Sequence, residues 1–379
     1  MGPEPMTGDY LADSKRLVVK IGSALVANDD KPRHAWLELL AKDIETCLQR
    51  GQEIVLVSSG AVALGRRHLG TGSLKKLEEK QAAAAVGQPL LMAALSDAFA
   101  SHKRGVAQVL LTIDETENRR RWLNARATLD ALLAAKMVPV INENDSVATD
   151  ELRYGDNDRL AARVAQMVGA DLLILLSDID GLYSSDPRRD PDARHIPFID
   201  DLSADYDQMA GGRNATAGVG SGGMVTKLAA ARIAWTAGCR TAITIGDRDH
   251  PLMALSGAEK ATWIVPPTTP ETARQAWLSG HLSPEGKLII DAGAASALQS
   301  GASLLAVGVI DVEGQFERGA AVEICRADGQ VIGKGLTAYG TADIQSIAGL
   351  QSDAMANILG YRGRPAIVHR DDIVLGNIA

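Results

Sequence analysis

The stretch 139-PVINENDSVATDELRYGDNDRL-160 is a short apolar strand that runs into two dense polar clusters. The strand, 137–141, is followed directly by the acids and amides of 142–145, and 156–158 open the next helical pattern. Loops at strand ends bind ligands because the strand holds them in place while their side chains stay accessible. The stretch therefore predicts a ligand pocket. The simpler interpretation is a solvated loop with turn and helix caps, and a helix cap is the role we expect for Asp156.

Strands and helices alternate on both sides of this stretch. Alternation of this kind predicts an α/β fold with a mainly parallel sheet between layers of helices. The predicted helices include 35–49, 63–67 and 74–99, and a basic amphipathic helix within 117–136, whose arginines we interpret as a solvated face or an oligomer contact. The predicted strands are 17–21, 53–57, 106–111, 138–141, 171–176, 241–245 and 262–265.

Three other predicted strands carry polar residues within them or directly after them. Lys20 lies inside the first strand, Ser59 follows the second, and Ser177 and Asp178 follow the strand 171–176. Ligands of open α/β sheets bind outside the carboxyl ends of the strands, so these side chains are candidate site residues. The alternatives are a solvent-facing lysine on an edge strand and ordinary turn chemistry for the serines and Asp178.

The glycine-rich segment 217-AGVGSGGMVTKLAAA-231 contains GxGxxG spacing, but no strand precedes it, and it lacks the GxxxxGK[ST] order of a Walker A loop. Its glycines instead precede a helical pattern with Thr226 and Lys227 in the first turns. Free backbone N–H groups and the helix macrodipole make such a start an anion-binding site. A flexible linker, the alternative, would not explain the lysine and the helix.

Composition limits the possible functions. A chain of 379 residues predicts about two to three domains. The net charge of −8 argues against a protein that coats nucleic acid, and the aromatic content of 4% leaves little for base stacking. The three cysteines form no CxxC pair and are expected to be reduced. We see neither a signal-peptide pattern nor an apolar run of membrane-spanning length, and therefore expect a cytoplasmic protein.

The texture of the sequence changes near residue 287 to short strands separated by glycine turns, with a helix expected at 343–359. This predicts a small β-rich, barrel-like domain. We therefore expect a disordered leader at 1–15, an α/β domain at 16–270, a linker at 271–284 and the β-rich domain at 285–379.

Two lysines, a glycine-rich helix start and several acids and amides around one sheet edge are suited to phosphoryl transfer. That reaction needs cations to neutralise phosphate oxygens and a rigid site to align donor with acceptor. The sequence shows no Ser-His-Asp or zinc pattern. A nucleotide-dependent small-molecule kinase is the expectation from the residues alone.

Several motifs together resemble the amino acid kinase family, in its branch of bacterial glutamate 5-kinases. They are LVVKIGSALV, IVLVSSGAVALG, LLTIDETENRRRWLNARATLDALL, PVINENDSVA, YGDNDRLAARVA, LLSDIDGLY and GSGGMVTKLAAA. The segment ILGYRGRPAIVHRDDIVL resembles the PUA domain that bacterial members append. The match runs from Arg16 over nearly all of the remaining chain, in motif order.

The resemblance implies ATP-dependent phosphorylation of the γ-carboxylate of L-glutamate, with Mg²⁺ held mainly by the ATP phosphates. This is the first step of proline biosynthesis. It further implies feedback inhibition by proline, with the loop 146–154 as a candidate sensor. Glutamyl phosphate reductase is the implied functional partner, and a homo-oligomer, dimer or tetramer, is expected.

The resemblance also implies roles for individual residues. Lys20 and Lys227 would stabilise the transferring phosphoryl group, and Asp158 would hold the two lysines. Ser59, Asp145 and Asn157 would bind glutamate. Ser221 stands where many relatives have threonine, and the hydroxyl group is kept. The implied ATP-binding residues are Lys20, Ser177, Asp178, Ser221, Gly222, Gly223, Met224, Val225, Thr226 and Lys227.

Two alternatives remain open at this point. One is a family member with a different acceptor, such as aspartate, N-acetylglutamate or a nucleoside monophosphate. The other is RNA binding through the PUA-like domain. Residues 281–379 contain 7 Lys and Arg against 11 Asp and Glu, and this negative balance makes nucleic-acid binding the weaker alternative.

Overall fold

The structure is a computed structural model. It describes residues 9–28, 31–70, 72, 74–147, 157–202, 206, 209, 223–257, 259–280, 283–361 and 363–376. The chain divides into two compact units, Met1–Pro270 and Glu271–Ala379.

The first unit is built on an eight-stranded sheet. Its strands are β1 (Arg16–Ile21), β4 (Glu53–Ser58), β5 (Val106–Leu111), β6 (Val138–Glu143), β7 (Leu172–Ser177), β10 (Phe198–Ile199), β11 (Arg240–Ile245) and β12 (Ala261–Ile264). Their order is β10-β12-β11-β7-β1-β4-β6-β5. All neighbouring pairs are parallel except β11 and β12, which confirms the predicted, mainly parallel α/β sheet. Two short hairpins lie outside it, β2 (Ala27–Asn28) with β3 (Lys31–Pro32) and β8 (Leu182–Tyr183) with β9 (His195–Ile196).

Helices cover both faces of the sheet. Those of the first unit are α1 (Ser23–Val26), α2 (His34–Gln49), α3 (Ala61–His68), α4 (Leu77–Ala100), α5 (Ile113–Glu117), α6 (Arg119–Ala134), α7 (Asn157–Val168) and α8 (Met224–Thr236). The central strands are almost fully buried, so each face of the sheet has its own apolar core.

The two-residue period of strand β1 decides where its lysine lies. Leu17, Val19 and Ile21 belong to the core on the α2 and α4 side, whereas Val18 belongs to the core on the α7 and α8 side. Side chains alternate along a strand, so Lys20 lies on the same face as Val18. The alternation of apolar residues thus places the Lys20 side chain on the side of the sheet that α7 and α8 cover.

The predicted disordered leader is wrong for residues 9–15. Leu11 is fully buried in the core of the first unit, and Ser14 is buried beside it. The ring of Tyr10 lies 5.1 Å from that of Trp263, and the guanidinium of Arg240 lies 5.1 Å above the tyrosine ring. A leucine and a tyrosine can order a short polar segment when the folded core offers them a place to pack. Composition alone does not reveal such a place. Residues 1–8 lie outside the described ranges.

Helix α4 is long and apolar enough to cross a membrane by length and composition, contrary to the sequence-based expectation. Half of its apolar window is buried inside the protein, and Leu91, Leu95 and Phe99 belong to the core. Core helices of soluble proteins pass the same test, so this helix is weak evidence for a membrane.

The second unit contains a six-stranded sheet. Its strands are β13 (Gly286–Ile290), β14 (Leu304–Leu305), β15 (Val309–Gly314), β16 (Ala321–Arg326), β17 (Val331–Thr337) and β18 (Ala366–Leu375). Their order is β14-β18-β17-β16-β13-β15. The edge strands β14 and β15 do not pair with each other, so the sheet is a curled half-barrel and not a closed barrel.

Helices in the second unit refine two predictions. Helix α9 (Pro270–Gly280) occupies much of the predicted linker, and α10 (Ala292–Gln299) follows β13. The single helix predicted at 343–359 is two helices, α11 (Thr341–Ile347) and α12 (Ser352–Leu359). Gly349, with φ of 76°, adopts the left-handed conformation between them and ends the helical run.

Candidate functional site

Four neighbouring strands, β7, β1, β4 and β6, carry polar residues at or near their carboxyl ends, and Ser177 ends β7. Lys20 in β1 lies between Val57 of β4 and Leu175 of β7, so it is at the middle of the sheet. Ser59 follows β4 directly, and Asn142 lies near the end of β6. Parallel strands bring these residues together because all their carboxyl ends point the same way.

Asp158 binds both lysines. Its Oδ1 lies 2.6 Å from Nζ of Lys20, and its Oδ2 lies 3.1 Å from Nζ of Lys227. The exposed fraction is 0% for Asp158, 5% for Lys20 and 4% for Lys227. An unpaired charge at such depth would cost on the order of several kcal/mol, so the carboxylate makes the close approach of the two ammonium groups possible. Counted over these three residues, two positive charges face one negative charge, and this balance suits an anion.

Helix α8 presents its N-terminus to the same cluster. Gly223 is its N-cap, and the Thr226 hydroxyl lies within hydrogen-bond distance of Asp158 Oδ2, at 3.2 Å, and of the Gly223 carbonyl, at 2.8 Å. Lys227 lies one residue further along the helix. The macrodipole adds a partial positive charge at this end, so the helix N-terminus and the two lysines both attract an anion. Ser221 and Gly222 lie outside the described residues.

A second cluster, made of neutral groups, lies around Asn157 at the start of α7. Its Nδ2 donates to the Ser59 hydroxyl at 2.6 Å, to the Ser58 carbonyl at 3.0 Å and to Asn142 Oδ1 at 3.1 Å. Its Oδ1 is buried and accepts no hydrogen bond from the part of the chain that the structure describes. Buried acceptors are normally satisfied, so this oxygen is a candidate ligand contact. Because Asn157 and Asp158 are consecutive, the neutral cluster adjoins the charged one.

Gly60 makes the sharp turn from Ser59 into α3. Its φ of 106° is in the left-handed region, and a Cβ there would lie 3.3 Å from Cβ of Val26. A glycine avoids both the strain and the crowding. The turn keeps the Ser59 hydroxyl at the sheet edge, beside Asn157.

Glu143, at the end of β6, is half-buried near Asp145. Desolvation by burial, with a further contribution from the Asp145 charge, raises the pKa of the Glu143 carboxyl to about 7. Asp145 itself lies on the turn after the strand and is half-buried. The sequence analysis assigned no role to Glu143; its place in the polar run 142–145 was the only signal.

Ser177 and Asp178 lie at the end of β7. Desolvation alone would raise the pKa of Asp178, but hydrogen bonds from Arg188, a backbone N–H and Ser177 outweigh it and lower that pKa. The Arg188 guanidinium lies 2.8 Å from Asp178 Oδ2, and the Ser177 hydroxyl donates to Oδ1 at 3.1 Å. Arg188 was missed because only the folded hairpin region brings it to this strand end.

The structure thus brings Lys20, Asp158 and Lys227 into one cluster, and Ser59 and Asn157 into another. Asp156 and residues 148–154 of the candidate proline-sensing loop lie outside the described ranges. Among the residues that are described, no group of three or more His, Cys, Asp or Glu side chains could hold a metal ion. The cluster with excess positive charge instead fits the phosphate groups of a nucleotide.

Comparison with known proteins gives two family matches. The model of the amino acid kinase family matches residues 15–244, and that of the PUA domain matches residues 286–359.

Three full-length relatives carry one name, glutamate 5-kinase. The protein from Paramagnetospirillum magneticum is 56% identical over 96% of this chain and 99% of its own length. The Caulobacter vibrioides protein is 54% identical over 96% and 97% of the two chains. The Rhodospirillum rubrum protein is 52% identical over 94% and 96%.

Proposed function

Because the chain belongs to the amino acid kinase family, in its glutamate 5-kinase branch, we propose that it transfers the γ-phosphoryl group of ATP to the γ-carboxylate of L-glutamate. The product would be γ-glutamyl phosphate, in the first step of proline biosynthesis. The observation that carries the proposal is the pair of buried lysines held by Asp158, adjoining the amide cluster of Asn157.

The lysines supply the electrostatic part of catalysis. In the transfer, a carboxylate oxygen of glutamate forms a bond to the γ-phosphorus while the bond to the β,γ-bridging oxygen breaks, and ADP leaves with the bonding electrons. Negative charge shifts towards the leaving group, and Lys20 and Lys227 stabilise it from fixed positions. Asp158 keeps their Nζ atoms in place, so no reorganisation is needed at the moment of transfer. The carboxylate is already ionised at neutral pH, and no residue has to remove a proton.

ATP is proposed to bind at the N-terminus of α8 and at Ser177 and Asp178. The start of the helix consists of Gly223, Met224, Val225 and Thr226. Backbone N–H groups at such a helix start are available to phosphate oxygens. Mg²⁺, when bound to the ATP phosphates, would neutralise part of their charge.

Glutamate is proposed to bind at Ser59, Asn157 and Asp145. The Ser59 hydroxyl accepts from Asn157 Nδ2 and can donate its proton to a carboxylate. The carboxylate of Asp145 suits the α-ammonium group.

Further proposals follow from membership of the family. Proline would inhibit at or near the glutamate site, glutamyl phosphate reductase would consume the product, and the enzyme would act as a homo-oligomer. A cytoplasmic location is supported by three free, buried cysteines. We propose a regulatory or structural role for the PUA domain.

The activity is tested by trapping the acyl phosphate with hydroxylamine. Purified protein with ATP and Mg²⁺ should form hydroxamate with L-glutamate, and aspartate and N-acetylglutamate should give little. Hydroxamate formed with aspartate and not with glutamate would overturn the assignment. A parallel glutamate titration with and without proline tests inhibition.

A further inference from the structure

Gln88 is a buried amide in a largely apolar part of helix α4, 8% exposed. Its Oε1 accepts a hydrogen bond of 2.8 Å from Asn142 Nδ2, which lies 54 residues away along the chain. We propose that Gln88 is a positioning residue for glutamate recognition, because it sets the direction of a hydrogen-bond chain that runs through Asn142 to Asn157. The inference deepens the proposed function and rests on it.

A backbone group favours the same direction of the chain as Gln88 does. The N–H of Glu143 can only donate, and it donates to Asn142 Oδ1 at 2.9 Å. That contact turns the amide so that its Nδ2 faces α4, where a buried donor needs an acceptor. Gln88 Oε1 is that acceptor. The Gln88 amide is oriented in turn by a second hydrogen bond, in which its Nε2 donates to Gln108 Oε1 at 3.4 Å.

The orientation of Asn142 is passed on to Asn157. Since Asn142 presents Oδ1 to the site, Asn157 places its Nδ2 against that oxygen and the Ser59 hydroxyl. The Oδ1 of Asn157 is then the buried atom that accepts no hydrogen bond from the described residues. This arrangement gives the substrate an acceptor for its ammonium group at Asn157 and leaves the Ser59 proton available to a carboxylate. Reversal of the Asn142 amide would set two donors, its Nδ2 and that of Asn157, against each other.

Helix packing makes the chain rigid. A Cβ added at Gly87 would lie 1.7 Å from the carbonyl oxygen of Ala61, and one added at Gly65 would lie 1.7 Å from that of Ala83. The backbones of α3 and α4 are therefore in direct contact. Because α3 begins directly after Ser59 and Gly60, and α4 carries Gln88, this helix pair fixes both Gln88 and the Ser59 hydroxyl that Asn157 contacts.

The test uses two substitutions with opposite effects on the acceptor. Gln88→Leu removes the acceptor from Asn142 Nδ2, and we expect the KM for glutamate to rise about tenfold. The KM for ATP and kcat should change less than about twofold, since the lysine cluster is untouched. Gln88→Glu keeps an acceptor oxygen at the same position, so its KM for glutamate should stay within about threefold of that of the wild type.

Gln52→Leu is the matched control. Gln52 is also a buried glutamine of the first unit, and its Nε2 donates to the carbonyls of Leu11 and Ser14, within the segment that precedes β1. Its loss should lower the melting temperature without changing the KM for glutamate. Melting temperatures of all variants show whether a raised KM reflects a destabilised protein or a changed orientation of the Asn142 amide in a stable one.

Three outcomes contradict the inference. A Gln88→Leu enzyme with the wild-type KM for glutamate would overturn it, as would equal rises in both KM values, or a Gln88→Glu enzyme as impaired as Gln88→Leu. In each case the wild-type protein forms hydroxamate with glutamate and the proposed function stands. A wild-type protein that forms none would refute the proposed function, and the inference with it.

Discussion

Two adjoining clusters share helix α7 but work by different physics. In the charged cluster, Lys20 and Lys227 are held by one carboxylate, and their interaction with an anion depends mainly on distance. In the amide cluster, Ser59, Asn157 and Asn142 are neutral, and each hydrogen bond has a donor end and an acceptor end. The charged cluster therefore suits the stabilisation of a charge that moves, and the amide cluster suits the recognition of a substrate with fixed polarity.

The comparison predicts a separation of kinetic effects. Substitutions in the charged cluster should lower kcat, and those in the amide cluster or at its neighbouring acids should raise the KM for glutamate. A substitution that does the reverse would show that the two clusters are not separate in function.

The largest effect is expected for Lys227→Ala. Loss of one fixed cation next to the transferring group should lower kcat by about a hundredfold to a thousandfold. The KM for glutamate should change little. Steady-state kinetics with a coupled ADP assay measures both, and Lys42→Ala, an exposed lysine on α2, is the control. A Lys227→Ala enzyme with wild-type kcat would remove this lysine from the catalytic site.

A smaller effect is expected for Asp145→Ala. An ion pair and hydrogen bond to the α-ammonium group would be lost, and the KM for glutamate should rise about tenfold or more. Turnover at saturating glutamate should stay near the wild-type value. Asp97→Ala, on the exposed side of α4, is the control. If kcat fell while KM stayed constant, Asp145 would belong with the charged cluster.

The smallest effect is expected for Glu143→Gln, and it concerns stability. The pKa of about 7 in the folded protein lies above the ordinary glutamate pKa of 4.5, so the folded protein keeps this proton at a pH where the unfolded chain has lost it. Stability therefore falls as pH rises from about 4.5 to about 7. A glutamine at this position has no proton to lose, so the variant avoids this loss of stability.

Thermal unfolding at two pH values measures this difference. The melting temperature of Glu143→Gln should exceed that of the wild type at pH 8, by about 2–4 °C for a stabilisation of about 1 kcal/mol. The two proteins should differ less near pH 5. An exposed carboxylate substitution, Glu38→Gln on α2, should show no such pH dependence. A difference that is the same at both pH values would mean that the Glu143 carboxyl does not titrate in this range.

Local patterns predicted much of the molecule. The apolar run around Lys20 and the glycines before Lys227 indicated a strand and a helix start, and both are present as β1 and α8. The ordered residues 9–15 and the break at Gly349 were not predicted, because a short segment or a helix end depends on what it packs against. Gln88 was missed for the same reason: a glutamine in an alanine-rich helix gives no local sign of a partner 54 residues away.

The sequence by itself determined the order of strands and helices, the face on which Lys20 lies and the family to which the chain belongs. These properties depend on neighbours within a few residues or on motifs that can be read directly. The resemblance implied that Asp158 holds the two lysines, but only the tertiary structure gave the contacts, 2.6 Å to Lys20 and 3.1 Å to Lys227. Only the tertiary structure placed Asn142 between Gln88 and Asn157. Hydrogen bonds and ion pairs act over a few ångströms, so their partners are known only once the parallel strands have brought distant segments to one edge of the sheet.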